Sequence, residues 1–335
     1  MKNILYVGNA LSQKGKNLTS VESLSLHLSE FCSVKIASDK SNKVLRLLDM
    51  IRLVYVNRKT ADFVLIDTYS TTNFYYALVI SQLSRRFKTK YIPILHGGNL
   101  EQRLKNNPRL SKMIFCNAYK LVSPSGFLKE VFENYGYSKI EHIPNTIELK
   151  NLNFFNRQID TINLLWVRSF NKIYNPKQAV FVLKSLIEKG YSASLTMVGP
   201  ETDGSLSEAK NLALSNDLDV VFTNKLPKKK WIELSKKSNV FINTTNFDNT
   251  PISVIEAMAL GLPVVSTNVG GLPHLISDNE DGLLVSPNDI EAMVKAVIRL
   301  KSNINLKNSI VLNARKKAEH FDWEQVKLKW ERLLS

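Results

Sequence analysis

Cysteine is scarce in this sequence: Cys32 and Cys116 are the only two among 335 residues, and their spacing suits no metal site. A disulfide framework is therefore excluded as the source of stability, and a reducing compartment is expected. Long apolar runs are missing as well. No stretch approaches the ~18 apolar residues of a membrane-crossing helix. The opening MKNILYVGNA holds an apolar run about half as long as a secretory h-region needs, and glycine follows at once, so it reads as a first strand. The expectation is a cytoplasmic protein that is neither exported nor membrane-spanning. Repeats and low-complexity tracts are also lacking, which sets aside solenoid and disordered classes.

Acids are the remaining shortage. The chain has 45 Lys+Arg against 30 Asp+Glu, a net charge of +15. The excess is uneven: residues 1–150 hold 22 Lys+Arg and 11 Asp+Glu, whereas residues 151–335 hold 23 and 19. A basic N-terminal half points to an anionic partner, either a membrane surface, a polyanionic substrate or nucleic acid, or else to a surface that simply favours solubility. Nucleic acid is disfavoured, because the basic residues lack aromatic interleaving or a known motif.

What is present is a two-domain globular composition, with 44% hydrophobic and 22% charged residues over a length that suits two cores. Short apolar strands alternate with amphipathic helices. In the first half the strands are read at 3–7, 33–37, 62–67, 91–95, 120–123 and 140–143, with helices at 19–30 and 73–86 among those between them. In the second half strands are read at 162–167, 193–198, 220–223, 240–245 and 263–267, with helices at 176–189, 227–237 and 290–301. Strands that are apolar throughout, interleaved with helices, indicate parallel sheets covered on both faces. The fold class is α/β with two doubly wound, Rossmann-like domains, joined near residues 145–161, where the strand pattern lapses. Ligands of such sheets sit at the carboxyl ends of strands, so a cleft between the domains is expected.

Residues 248–271, DNTPISVIEAMALGLPVVSTNVGG, carry the densest local signals. Thr250 is expected to cap a helix with Pro251 at its first position, and Gly261 followed by Pro263 to end it. Glu256 then falls inside an otherwise apolar helix, where a carboxylate is costly unless satisfied. Asp248 precedes the helix, at the end that favours anions. One acid before the helix and one within it suit the hydroxyls of a sugar and a ribose, and Gly270-Gly271 leave room for backbone to approach a phosphate. The ordinary structural reading of Glu256 is a buried carboxylate bonded to backbone or a lysine; that of Asp248 is an Asx-turn.

This segment resembles the donor-binding signature of retaining GT-B glycosyltransferases of family four. Asp248-x7-Glu256 stands where the family has two glutamates, followed by AMALGLPVV (257–265) and GGLPH (270–274). The resemblance implies that Glu256 binds ribose hydroxyls, that Asp248 contacts the donor sugar, and that backbone at Asn249, Thr250, Pro251 and Ile252 holds sugar and phosphate. LLWVRSFNKIYNP (164–176) resembles the segment whose arginine and lysine bind the diphosphate. Arg168 matches the arginine. Lys172 lies one residue short of the usual lysine spacing and Lys177 four beyond it, and Lys172 is taken as the candidate. Gly199 in TMVGPETDG is similar to the glycine turn beside the nucleotide, and Lys225 and Leu226 to the backbone that holds the base. In the first half, Gly15 is similar to the phosphate-side glycine loop, and His96, at a strand end before two glycines, to a histidine touching the donor sugar. FDWEQVKLKW (321–330) resembles a last helix that crosses back to the first domain.

The resemblance implies an acceptor-side domain over 1–148 with a returning helix from about 320 to 335, and a donor-binding domain over 149–319. It implies transfer of a hexose from a UDP- or GDP-linked sugar to a glycan or lipid-linked saccharide, with retention, in polysaccharide biosynthesis. No metal or other cofactor is expected. A helical run at 42–59, with Lys43, Arg46, Arg52, Arg58 and Lys59 beside an apolar face, reads either as a core helix or as a dock for anionic lipid. The latter would make the protein peripheral at the inner face of the cytoplasmic membrane. A sugar-nucleotide epimerase of the same architecture and a non-catalytic sugar-nucleotide or lipid-binding scaffold are the competing classes.

Overall fold

The computed structural model describes residues 1–11, 19–97 and 99–335. The chain forms two compact units, Met1–Asn145 with Trp323–Ser335, and Thr146–Asp322. Compared with the expected limits at 148 and 320, residues 146–148 and 320–322 go with the second unit. The cause is local pairing: Ile147 N donates to Phe321 O (2.9 Å) and Leu149 N to Asp322 Oδ1 (3.0 Å).

In the first unit the order is β1 (Lys2–Val7), α1 (Ser20–Leu28), β2 (Cys32–Ala37), α2 (Lys43–Asn57), β3 (Phe63–Thr68), α3 (Asn73–Arg86) and β4 (Lys90–Leu95). Then come α4 (Leu100–Asn106), α5 (Pro108–Phe115), β5 (Leu121–Ser123), α6 (Gly126–Asn134) and β6 (Ile140–His142). The sheet is parallel in the order β2-β1-β3-β4-β5-β6. Every residue of β3 is buried, as a strand covered on both faces requires. Right-handed crossovers put α2–α6 on one face, around Val54, Ile80, Ile114 and Phe132. The chain's last helix, Trp323–Leu334, joins α1 on the other face, around Tyr6, Leu28, Trp323 and Trp330. Trp323 stacks on His27 (4.5 Å between ring centroids) and donates through Nε1 to Glu30 (2.8 Å).

In the second unit the order is β7 (Ile162–Val167), α7 (Pro176–Glu188), β8 (Ala193–Val198), α8 (Ser205–Ser215), β9 (Val220–Thr223), α9 (Lys228–Ser235) and β10 (Val240–Asn243). It continues with α10 (Ile252–Ala259), β11 (Val264–Thr267), α11 (Leu272–Leu275), β12 (Leu283–Val285), α12 (Ile290–Ser302) and α13 (Ile304–Glu319); the last helix, Trp323–Leu334, is α14. The parallel order is β12-β11-β10-β7-β8-β9. β12, only three residues long, has no counterpart in the strands expected from sequence, because so short an apolar run carries no period.

Both sheets reverse direction once: β1 lies between β2 and β3, and β7 between β8 and β10. At such a switch point the connections leave toward opposite faces and open a crevice at the strands' carboxyl ends. That rule singles out Gly8 and Asp67 in the first unit, and Arg168 and residues 244–250 in the second.

The fold of the first unit depends on α14 being held there. Trp330 is 2% exposed, so Trp330→Ala should cost about 3–5 kcal/mol, measured as a lowered denaturant midpoint. A loss under ~1 kcal/mol would show that α14 contributes little to that core.

Candidate functional site

Arg168 follows β7 directly. Its backbone N donates to Val198 O (3.1 Å), which ties the end of β7 to β8. Gly199 follows β8 directly, and a Cβ there would overlap the carbonyl oxygen of Arg168. Gly199 is thus explained by the close approach of two backbones that fixes where Arg168 leaves the sheet. The guanidinium pairs through Nη2 with Asp248 Oδ2 and stacks over the Tyr174 ring at 4.1 Å. Burial pushes the Arg168 pKa down, and Tyr174 works against that shift. Its Nε has no hydrogen-bond partner among the described residues.

Asp248 is presented by the β10–α10 loop, which is fastened on two sides. Asn246 N donates to Ile173 O (2.7 Å), and Thr244 Oγ1 to Tyr174 O (2.9 Å). On the other side Gly271 N donates to Asp248 O (2.9 Å). A Cβ on Gly270 or Gly271 would overlap the carbonyl oxygens of Asp248 and Asn249. The space that these glycines were expected to leave for a phosphate is therefore occupied by the chain's own loop.

Thr250 does not cap the helix. Pro251 keeps an extended ψ of 117° and stands at the N-cap, so α10 starts at Ile252, and no described side chain caps it. The first N–H groups of α10 are left for a ligand or water. Around this end, Asn249 Oδ1 and Ser253 Oγ are buried without a hydrogen-bond partner among the described residues. A cluster of unsatisfied buried polar atoms is costly unless something binds there.

Glu256 lies one turn further along α10 and is 7% exposed. Its Oε1 meets Lys228 Nζ at 2.6 Å. Burial pushes its carboxyl up from the usual range, and Lys228 pulls it back in part. Lys228, the first residue of α9, was missed by the sequence reading. The Pro227-Lys-Lys-Lys start of a helix was its only signal, and it does not say which lysine turns inward. Leu226 packs against the apolar cluster containing α10, while Lys225 is exposed. Lys172 is not brought to Arg168 and Asp248. It is exposed in a short 3-10 turn, its N donates to Asp203 (2.9 Å), and its ammonium faces Glu208 (3.9 Å). Lys177 pairs with the same Glu208 at 2.8 Å. A bare Asp-x-Asp spacing, passed over in the sequence, does occur at Asp217-Leu218-Asp219. It lies at the amino end of the edge strand β9, whereas the site is at the carboxyl ends of β7 and β10. Among the described residues no three His, Cys, Asp or Glu are grouped as for a metal ion.

In the first unit His96 follows β4 and is 7% exposed. Its Nε2 meets Asp67 Oδ1 at 2.8 Å, and its ring stacks on Tyr69 at 4.8 Å. Tyr6 OH donates to the same Asp67 oxygen (2.8 Å). An ionised carboxylate only accepts, so Nε2 carries a proton and Nδ1 is left for another partner. Burial and Asp67 push the Tyr6 hydroxyl pKa well up, which keeps it a donor. Gly8 completes the arrangement, since a Cβ there would come within 2.6 Å of Asp67 Oδ2. Asp67 was read only as part of a strand, because nothing local marks an acid as one shared by two buried donors. Gly15 lies outside the described residues.

Residues 151–317 match the model of the family described as glycosyl transferases group 1. The capsular polysaccharide biosynthesis glycosyltransferase CapM of Staphylococcus aureus is 31% identical over 153 residues, which is 45% of this chain and 39% of that protein. Sucrose-phosphate synthase from Thermosynechococcus elongatus superposes with a TM-score of 0.81 at 16% identity, over 99% of this chain and 98% of that one. HepE of Anabaena, solved in complex with UDP, superposes with a TM-score of 0.77 at 14% identity, over 100% and 99%. Two parallel six-stranded sheets with these neighbours make the fold GT-B. Through residues 151–317 the chain belongs to the glycosyl transferases group 1 family.

Proposed function

We propose that this glycosyltransferase moves a hexose from a nucleoside diphosphate sugar to a hydroxyl of a glycan or lipid-linked saccharide, with retention and without a metal. The observation that carries the reading is the uncapped start of α10, set between a buried arginine and a buried glutamate and ringed by unpartnered polar atoms. An anionic diphosphate suits the free N–H groups and Arg168. Ribose hydroxyls suit Glu256, which Lys228 holds toward its ionised form. Asp248 and the backbone from Asn249 through Thr250 and Pro251 to Ile252 take the sugar end, and the 225–226 backbone takes the base. His96 Nδ1 is assigned to a sugar hydroxyl. HepE was solved with UDP and with UDP-glucose, which supports a nucleotide-sugar donor.

In the transfer, the bond from the anomeric carbon to the diphosphate breaks and a bond to the acceptor oxygen forms on the same face. The acceptor proton passes to the leaving phosphate oxygen. Arg168 and the α10 amides stabilise the charge that grows there, an effect realised mainly in the transition state. Arg168→Lys keeps a charge for Asp248 but loses the planar fork, and kcat should fall about 10- to 100-fold with donor KM changing less. An unchanged kcat would remove Arg168 from this role.

Glu256 joins stability to binding. Its folded pKa is raised, so its contribution is favourable below the unfolded value and is lost as pH rises through the folded one. At neutral pH the buried carboxylate is a net cost. Glu256→Gln should therefore stabilise the ligand-free protein at pH 7 more than at pH 4. The same change should raise donor KM about tenfold or more by weakening a charged hydrogen bond. A variant that is stabilised but keeps the wild-type donor KM would leave Glu256 structural. Thermal-shift screening against nucleotide sugars identifies the donor. Product formed without any acceptor would indicate an epimerase instead.

A further inference from the structure

Basic charge in the first unit is segregated by face. Helices α2–α6, all on one side of the sheet, carry ten Lys and Arg against four Asp and Glu. Helices α1 and α14, on the other side, carry three of each. These helices thus hold six of the eleven excess charges of residues 1–150, although Arg46, one of their bases, is buried and does not belong to the surface.

The same surface exposes apolar side chains where a solvated helix would keep polar ones. α2 covers the end of the sheet nearest the edge strand β2 and turns Met50 and Val54 into the core. Its outer side presents Val44, Leu45, Leu48, Tyr55 and Val56, each between 53% and 66% exposed. Positions 44, 48, 52 and 56 form one i, i+4 row, and Arg52 fills the remaining place. Lys43 and Lys59 stand at its two ends, and Arg58 stacks over the Tyr55 ring at 4.3 Å. Asp49 is the only acid of α2, and it is half-buried. The row runs the length of a 15-residue helix, about 22 Å.

We propose that this face of the first unit docks on an anionic phospholipid bilayer, with α2 lying in the interface. The charge pattern selects that occupant. A basic excess spread over α2–α5 matches a plane of anionic headgroups, and a shallow apolar row with cations along it matches the depth an interfacial helix reaches. Leu45 and Leu48 enter the acyl boundary while Lys43, Arg52 and Lys59 stay among the headgroups. The inference does not depend on the transferase reading, since it concerns residues outside the donor site.

The test is co-sedimentation of the whole protein with vesicles of phosphatidylcholine alone or mixed with phosphatidylglycerol. Binding to the anionic vesicles should be at least about tenfold tighter and should weaken at high salt. Arg52→Glu with Lys59→Glu should reduce it by about fivefold or more per site, from ~1 kcal/mol for each basic residue at the surface. Leu45→Ser with Leu48→Ser, at exposed positions where folding is preserved, should reduce it as well. Arg332→Glu on α14 should leave it unchanged. Equal binding to both vesicle types overturns the proposal. So does a loss with Arg332→Glu as large as that with Arg52→Glu and Lys59→Glu. Full binding by the serine variant shows that α2 does not insert, which also overturns it. A wild-type dimer in vesicle-free sedimentation that the serine variant converts to monomer assigns the face to a second copy of the chain instead.

Discussion

A buried guanidinium at the end of a central strand sets the terms for the second unit. Arg168 is taken out of water, so it requires an anion, and Asp248 supplies it. For the two to meet, the β7–α7 and β10–α10 loops must be held together, and three glycines allow it. Gly199 lets β8 run against the carbonyl of Arg168, while Gly270 and Gly271 let the next turn close on Asp248 and Asn249. Any side chain at these positions would collide with backbone, which has nowhere to move. The ion pair is therefore the reason for the glycine pattern, more than the ligand is. A ligand anion that enters this site competes with Asp248 for Arg168, so affinity depends on how far that acid can be relieved of its partner.

The first unit repeats the logic with the opposite sign. Its buried ion is the carboxylate Asp67, and its partners are Tyr6 and His96. Gly8, at the end of the neighbouring strand, lacks the Cβ that would crowd Asp67 Oδ2. In both units the charged group stands where the sheet changes direction, because only there do the connections leave the strand ends uncovered. Doubly wound topology explains the coincidence without appeal to the reaction: it makes a place where a buried charge can be reached.

Much of this was legible in the sequence, and what was not has a pattern. A strand such as 91–95 was readable because a strand buried on both faces is apolar throughout. Helix 73–86 was readable from its period. Glu256 stood out because a charge inside an apolar helix is a local anomaly, Asp248 because it precedes that helix, and Arg168 through the resemblance of its segment. Lys228 and Asp67 did not stand out. The first is one lysine of three in a row, and the second ends a strand like many other acids. Their importance comes from partners 28 residues away in one case and 29 and 61 in the other. Lys172 shows the converse. Spacing along a chain does not fix which way a 3-10 turn points its side chains, and the exposed ammonium here faces Glu208. Thr250 was misplaced by a single residue, the usual uncertainty at a helix end.

Arg157 and Gln178 hold some of the buried polar atoms without a hydrogen-bond partner in the second unit, but others gather at one place. Arg168 Nε, Asn249 Oδ1 and Ser253 Oγ lie on the loop ends and first helical turn of one switch point, and Asn243 Oδ1 ends the adjoining strand β10. Each buried group without a partner costs about 1–3 kcal/mol. A protein of ordinary stability tolerates several in one place only if that place is stabilised by something it binds. Glu256 adds to the same cost through its raised pKa. In the proposed reading Asp248 stands at the sugar end, ion-paired with the arginine and one methylene shorter than the glutamate that the resemblance implies. On that reading the shorter acid reaches less far toward a sugar while it stays with Arg168. Specificity would then fall to Asn249 and Ser253, whose unpaired atoms one sugar's hydroxyls would complete and another's would not.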